Sequence, residues 1–168
     1  KLLTSAAYAQ GPQKGGDLLV GLVGGESTNS LDPAKFLTQV LQVFGKTWGE
    51  TLVYAVPTDS SPQPMLAESW EPSDDVKEWR FKIRKGVTFH DGKELTPDDV
   101  IATFRRHSDA NTESGAKGVM EGIADMKVDG DNVVITLHNA DADLPLLLTD
   151  YHLIIQPNGG MDNPAAGI

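Results

Sequence analysis

Within thirty residues of Trp79 the hydrophobic spacing changes from every second residue to the roughly 3.6-residue period of a helix, and few folds accommodate that junction. Trp79, Phe81 and Ile83 alternate with Arg80, Lys82 and Arg84, the pattern of a strand with one face buried and one wet, and hence of an antiparallel or edge strand. Lys85-Gly86 breaks the strand, Val87 to Phe89 resumes an extended run, and Asp91-Gly92 supplies a pair suited to a tight turn. Thr96 then reads as a helix N-cap. Pro97 falls at the first helical position, where its missing N–H costs nothing, and Asp98 and Asp99 sit at the positive helix end. Val100, Phe104 and His107 follow at helical spacing, with Arg105 and Arg106 suited to the negative end. The unit is strand, turn, short strand, capped helix.

The flanking segments extend this α/β pattern. Leu18 to Val23 is an uninterrupted apolar run next to Gly24-Gly25, which predicts a strand buried on both faces. Its glycines match neither GxGxxG nor a P-loop, so they are read as a loop with unusual backbone angles rather than a phosphate cradle. Leu31-Asp32-Pro33 reads as a turn. Leu37, Val40, Leu41, Phe44 and Trp48 recur at i, i+3, i+4, i+7 and i+11, an amphipathic stripe. Thr51 to Val56 predicts a strand, Pro57 to Pro64 a surface loop, and Trp70 to Asp75 a turn cluster. Met126 to Asp129 and Val133 to Leu137, joined by Gly130-Asp131-Asn132, predict a hairpin. Asp141 or Asp143 is positioned to cap a helix carrying Leu144, Leu146, Leu147 and Leu148, and Leu153 to Ile155 is a short apolar strand candidate.

Charge and composition narrow the partners. With 14 Lys and Arg against 24 Asp and Glu, the net charge of −10 argues against nucleic acid or an anionic membrane. The chain has no cysteine, so it has neither a disulfide framework nor a thiolate metal site. Residues 1–14 read as a signal-peptide remnant or disordered terminus, with Ala7-Tyr8-Ala9 fitting the small-x-small pattern of cleavage after Ala9.

Catalytic readings fail on chemistry. His90-Asp91 lies in a tight turn with no nucleophile placed by a motif, and His107, His138 and His152 have no zinc spacing. Asp129-Gly130-Asp131 lacks the twelve-residue calcium-loop pattern. Glu68, Glu71, Asp74 and Asp75 read as a solvated rim. The residues predict a binding protein that needs no cofactor and is not an enzyme.

Four motifs in order carry a resemblance: Gly15-Gly16-Asp17-Leu18-Leu19-Val20-Gly21, Ser30-Leu31-Asp32-Pro33, Leu66-Ala67-Glu68-Ser69-Trp70, and Phe89-His90-Asp91-Gly92 with the helix after Thr96. Asn158-Gly159-Gly160 extends it more weakly. Together they resemble the N-terminal part of the extracellular solute-binding proteins of family 5, the dipeptide, oligopeptide and nickel-type receptors of ABC importers. The resemblance implies an α/β, periplasmic-binding-protein-like fold of the class II, cluster C type, with a mixed sheet, flanking helices and a small β-hairpin subdomain. It implies a periplasmic receptor that captures a peptide-like or other small solute between two lobes and delivers it to ABC permease subunits. Closure would be a hinge motion. By position it implies three walls for the ligand: Leu37, Thr38 and Gln39 after the Leu-Asp-Pro turn; the loop containing Asn111 and Ser114 after the Thr96 helix; and Tyr151 with His152.

Family members are about three times longer, so residues 15–168 are expected to be an N-terminal lobe fragment without the second lobe, binding at least about a hundredfold more weakly than a whole receptor. Unpaired strand edges are expected to invite self-association. The alternatives are a ligand-sensing or interaction module on the same fold, and a hydrolase with an unrecognised site.

Overall fold

The structure, a computed structural model, describes residues 15–168; the expected signal remnant and its cleavage site lie outside them. Among the described residues six strands form two sheets. In the larger, β3 (Ala67–Pro72), β4 (Glu78–Ile83), β5 (Ile123–Asp129) and β6 (Asn132–Leu137) are ordered β3-β4-β6-β5. In the smaller, β1 (Val53–Ala55) pairs with β2 (Pro62–Pro64). The α/β class expected from the sequence holds. Every ladder among the described residues is antiparallel, so the parallel component of the expected mixed sheet is not among them.

The strand-to-helix junction forms as its spacing dictates. Trp79, Phe81 and Ile83 point into the core from β4, which lies between β3 and β6. The turn after Phe89 places Gly92 at φ +86°, and Lys93 N–H donates to Asp91 Oδ1 at 2.9 Å. Helix α2 (Pro97–Ser108) starts at Thr96, whose N–H and hydroxyl both donate to Asp99 Oδ2, at 3.0 and 2.6 Å. Val100, Phe104 and His107 are buried along the face that α2 lays on β5 and β6. Each apolar side chain removed from water there contributes about 1.5–3 kcal/mol. The hairpin β5–β6 turns at Gly130, φ +61°.

Asp99 also explains the Asn158-Gly159-Gly160 motif. Asn158 N–H donates to Asp99 Oδ1 at 2.8 Å, and Lys93 makes an ion pair with the same oxygen. Burial pushes the Asp99 carboxyl up, but these hydrogen bonds outweigh it and hold the group below its ordinary value. A Cβ on Gly159, at φ +66°, would stand 2.6 Å from the Ala102 carbonyl, so only glycine allows this loop to lie on α2.

Five expectations are corrected. Leu18 to Val23 forms no strand: Leu18, Leu19 and Val23 are 88%, 98% and 87% exposed, because no strand among the described residues pairs with the segment. Trp70-Glu71-Pro72 is strand rather than turn, since Pro72 ends an edge strand that needs no amide from it. The loop from Pro57 to Pro64 ends in β2, where Gln63 pairs with Tyr54. In α1 (Gln39–Trp48) the buried stripe is Leu41 and Gly45, with Trp48 partly covered; Leu37 precedes the helix and is 80% exposed, and Phe44 is exposed. Phe36 packs so closely over the buried Gly45 that a Cβ there would strike its ring. Leu153 to Ile155 is fully buried but makes no ladder; Ile155 N–H donates to the Glu50 carbonyl at 2.9 Å.

Two short helices, α3 (Lys117–Met120) and α4 (Leu144–Leu147), close the core. Among the described residues no helix is long and apolar enough to cross a membrane, and no group of three His, Cys, Asp or Glu is placed to hold a metal.

Candidate functional site

The three expected walls, far apart in sequence, converge on one imidazole. His152 is buried. Its Nδ1 lies 2.7 Å from Asp150 Oδ1, and its Nε2 lies 3.0 Å from the Phe36 carbonyl, immediately before Leu37. A Cβ built on Gly115, next to Ser114, would fall 2.6 Å from the same ring. Tyr151 packs on His152 with ring centroids 4.1 Å apart.

The candidates divide by exposure. Leu37, Gln39 and Asn111 are exposed, and Thr38 and Tyr151 are half-buried. Thr38 caps α1, its Oγ1 accepting from Leu41 N–H at 3.4 Å. Ser114 and His152 are buried and spend their polar atoms internally, so they support the surface rather than form it. Ser114 Oγ accepts from Ala116 N–H at 3.1 Å and lies 2.5 Å from His107 Nδ1. Burial drives the His107 pKa down to about 4, with Arg106 and His152 pushing the same way, so the ring is neutral. A buried serine beside a neutral histidine whose Nε2 has no partner is not an activated nucleophile, since no third group orients the ring.

Asp150 is the residue that sequence reasoning missed at this junction. Burial pushes its carboxyl up, but hydrogen bonds from the His152 ring and backbone N–H prevail and hold it below its ordinary value. The signal was present as an Asp two residues before the histidine, the spacing of an Asx turn. Burial and the Asp150 charge raise the Tyr151 phenol, with Gln42 opposing.

A second set of ties locks the same turn from the other side. Arg106 Nη2 donates to Asp32 Oδ2 at 2.5 Å and Nη1 to Gln156 Oε1 at 3.1 Å. Gln156 Nε2 in turn donates to the Pro164 and Ala166 carbonyls at 2.6 and 3.0 Å. Asp32 Oδ1 accepts from Ala34 N–H at 3.1 Å, fixing the turn that leads to Phe36. Beside Tyr151 opens a cavity of about 150 Å³ lined by residues including Lys46, Glu50, Tyr54, Met65 and Ile154. The arrangement offers the exposed residues Leu37 and Gln39 on either side of the half-buried Thr38, buried polar ties at Phe36 and His152, and a recess lined by Tyr54 and Tyr151.

Comparison with known proteins identifies the family and the fold. The family model of bacterial extracellular solute-binding proteins, family 5 middle, matches residues 61–166, well over half of the chain. The uncharacterized protein YhjP of Bacillus subtilis is 34% identical over 150 residues, covering 88% of this chain and 26% of the relative. Heme-binding protein A of Haemophilus influenzae is 40% identical over 98 residues, covering 48% and 18%. The structure of the oligopeptide-binding protein AppA of Bacillus subtilis in complex with a nonapeptide superposes with a TM-score of 0.79 at 27% identity, covering 92% of this chain and 31% of that one. The chain thus spans about a third or less of the length of each of these three proteins. These relatives are binding proteins or uncharacterized, and the match takes in the sheet, α2 and the loop that docks on it. The chain belongs to the bacterial extracellular solute-binding proteins of family 5.

Proposed function

We propose that this chain is the N-terminal lobe region of an exported receptor that captures a small peptide-like solute and passes it to the permease subunits of an ABC importer. The observation that carries the reading is the superposition on a nonapeptide-bound oligopeptide-binding protein over 92% of the chain. Leu37, Thr38, Gln39, Asn111 and Tyr151 form the ligand-facing surface, while Ser114 and His152 hold it from beneath. Backbone groups at residues 37–39 suit an extended peptide, which binds chiefly through its main chain. Residues 1–14 carry the remnant of an export signal, cleaved after Ala9. The ladder edges β3 and β5 are the surfaces through which copies of the chain pair.

The test is an NMR titration of the 168-residue chain with a synthetic dipeptide, a nonapeptide and haem. Saturable shifts at Leu37, Thr38, Gln39, Asn111 and Tyr151 with a peptide are expected, and the peptide is recovered intact. Absence of site-specific shifts with every probe, or cleavage of the peptide, overturns the reading. Light scattering tests the edge pairing, a concentration-independent monomer counting against it.

A further inference from the structure

We propose that His152 is a positioning residue, whose imidazole, wedged between the Asp150 carboxylate and the Phe36 carbonyl, fixes the course of the exposed strap Leu37–Gln39. Of the strap only Gln39, the first residue of α1, belongs to a regular element. Leu37 is 80% exposed and Gln39 is exposed, and neither contributes a side chain to the core. Its order has to come from its two ends. At the C-terminal end Gln39 enters α1, which Thr38 caps and whose Gln42 N–H donates to the Thr38 carbonyl at 3.1 Å. At the N-terminal end the ring of Phe36 is sealed against Gly45, and its carbonyl meets His152 Nε2 at 3.0 Å, across 116 residues of sequence.

That contact is itself rigidly held. Asp150 Oδ1 takes both the His152 backbone N–H, at 2.8 Å, and lies 2.7 Å from Nδ1, so the ring has a fixed plane. Tyr151 packs on one side of it. Gly115 closes it from α3's side of the molecule, and the space there admits no Cβ. The other charged and titratable groups about the junction are His107 and Arg106 on α2 and Asp32 in the turn before Phe36. The loop Asn111–Gly115 and the strap are thereby made to move together: displacing Gly115 displaces the ring, and displacing the ring releases the Phe36 carbonyl. A buried ring with both nitrogens engaged is a tie between segments, because losing either partner leaves an unsatisfied polar group.

Two amide isosteres separate the ring's two contacts. In His152→Gln the side-chain amide reaches the place of Nε2 and can still donate to the Phe36 carbonyl. In His152→Asn it reaches only the place of Nδ1, so the Asp150 contact survives and the strap contact is lost. Gly115→Ala attacks the ring from the outside without altering either partner. The readout is the ¹⁵N backbone order parameter of Leu37, Thr38 and Gln39 in the 168-residue chain, with amide exchange in β4 and α2 as the check on folding. Values near about 0.85 are expected in the parent and in His152→Gln, and below about 0.6 in His152→Asn and Gly115→Ala. A strap that stays rigid in both His152→Asn and Gly115→Ala, or one as loose in His152→Gln as in His152→Asn, overturns the proposal.

The consequence for ligand rests on the reading of residues 37–39 as ligand-facing. In a titration with the same nonapeptide, His152→Asn is expected to lose about tenfold in affinity while His152→Gln stays within about threefold of the parent. If the parent shows no shifts at residues 37–39, the ligand reading fails, and the order parameters still decide the positioning role. If the parent binds and His152→Asn binds equally well with a loosened strap, the link from strap to ligand fails instead.

Discussion

The layer of α2 on the sheet and the junction around His152 both lie largely out of water but are held by opposite physics. The first is an apolar contact between regular elements, in which Phe81, Phe104, Val133 and Ile135 are wholly removed from water. The second contains two histidines, a serine, an arginine and four carbonyl or carboxylate acceptors, arranged so that almost every polar atom has a partner. Apolar burial is non-directional and tolerates small adjustments, whereas a buried polar network is unforgiving when one member is lost. The first region therefore sets whether the chain folds. The second sets where the exposed strap lies.

The largest effect expected from breaking this comparison is in the apolar layer. Phe81 lies in the central strand, 0% exposed, against Trp70 and Trp79 with ring centroids 6.2 and 6.3 Å away. Phe81→Ala is expected to cost about 3–5 kcal/mol, through lost burial and the cavity left behind. Urea denaturation followed by tryptophan fluorescence measures it as a lower midpoint. A loss under about 1 kcal/mol would mean that the sheet is not the organising core.

Next comes the acid sensitivity of the polar region. His107 has its pKa lowered from 6.5 to about 4, first by burial and then by Arg106 and His152, with Asp32 and Asp150 opposing. A histidine with a depressed folded value binds its proton more readily when unfolded. Stability is therefore complete above pH 6.5, falls as the pH drops, and stops falling from this source below about 4. By linkage the whole loss is roughly 3 kcal/mol. Denaturation midpoints taken between pH 7 and 4 should show this slope, and His107→Asn should flatten it while keeping a partner for Ser114. A parent with no slope in that window contradicts a neutral, buried His107.

The two regions also differ in how far they could be read from the sequence, and the reason is distance along the chain. The strand at Trp79, the turn at Asp91-Gly92 and the helix capped at Thr96 declare themselves within a few residues, because period and cap chemistry are local. The junction joins Arg106 to Asp32 across 74 residues and His152 to Phe36 across 116, and no local pattern encodes such pairs. Motif order placed Leu37–Gln39, the Asn111–Ser114 loop and Tyr151-His152 as three walls. It did not reveal that two of their members, Ser114 and His152, face inward, since exposure depends on what packs from elsewhere. The apolar run Leu18–Val23 fails for the complementary reason. Its composition is that of a buried strand, but a strand is stable only with neighbours, and none among the described residues supplies a ladder.

A smaller effect sharpens the contrast between holding the fold and holding the turn. In Asp32→Asn the Arg106 guanidinium loses its charged partner while Gln156 remains. About 2 kcal/mol is expected, below the cost of the core deletion because the Arg106 side chain keeps 19% of its surface in water. Amide exchange should localise the change, with Lys35 and Phe36, whose N–H groups bond to the Asp32 and Pro33 carbonyls, exchanging faster than the ladder amides of β4 and β6. Uniform acceleration in both places would mean that junction and sheet are one cooperative unit.

The smallest effect on stability belongs to the residue that the proposed function exposes most. Leu37 stands 80% in water between the Phe36 anchor and the Thr38 cap. Leu37→Ser removes no core contact and alters no hydrogen bond, so the unfolding midpoint should move by no more than about 0.5 kcal/mol in either direction. Peptide affinity should nevertheless fall, because in the proposed function this exposed side chain faces the ligand. A variant that unfolds earlier but binds unchanged would reverse the assignment, making Leu37 scaffold. A variant that keeps its midpoint and loses binding separates the two regions as drawn: the sheet and α2 carry the fold, and the strap, steadied from below by His152, carries the contact.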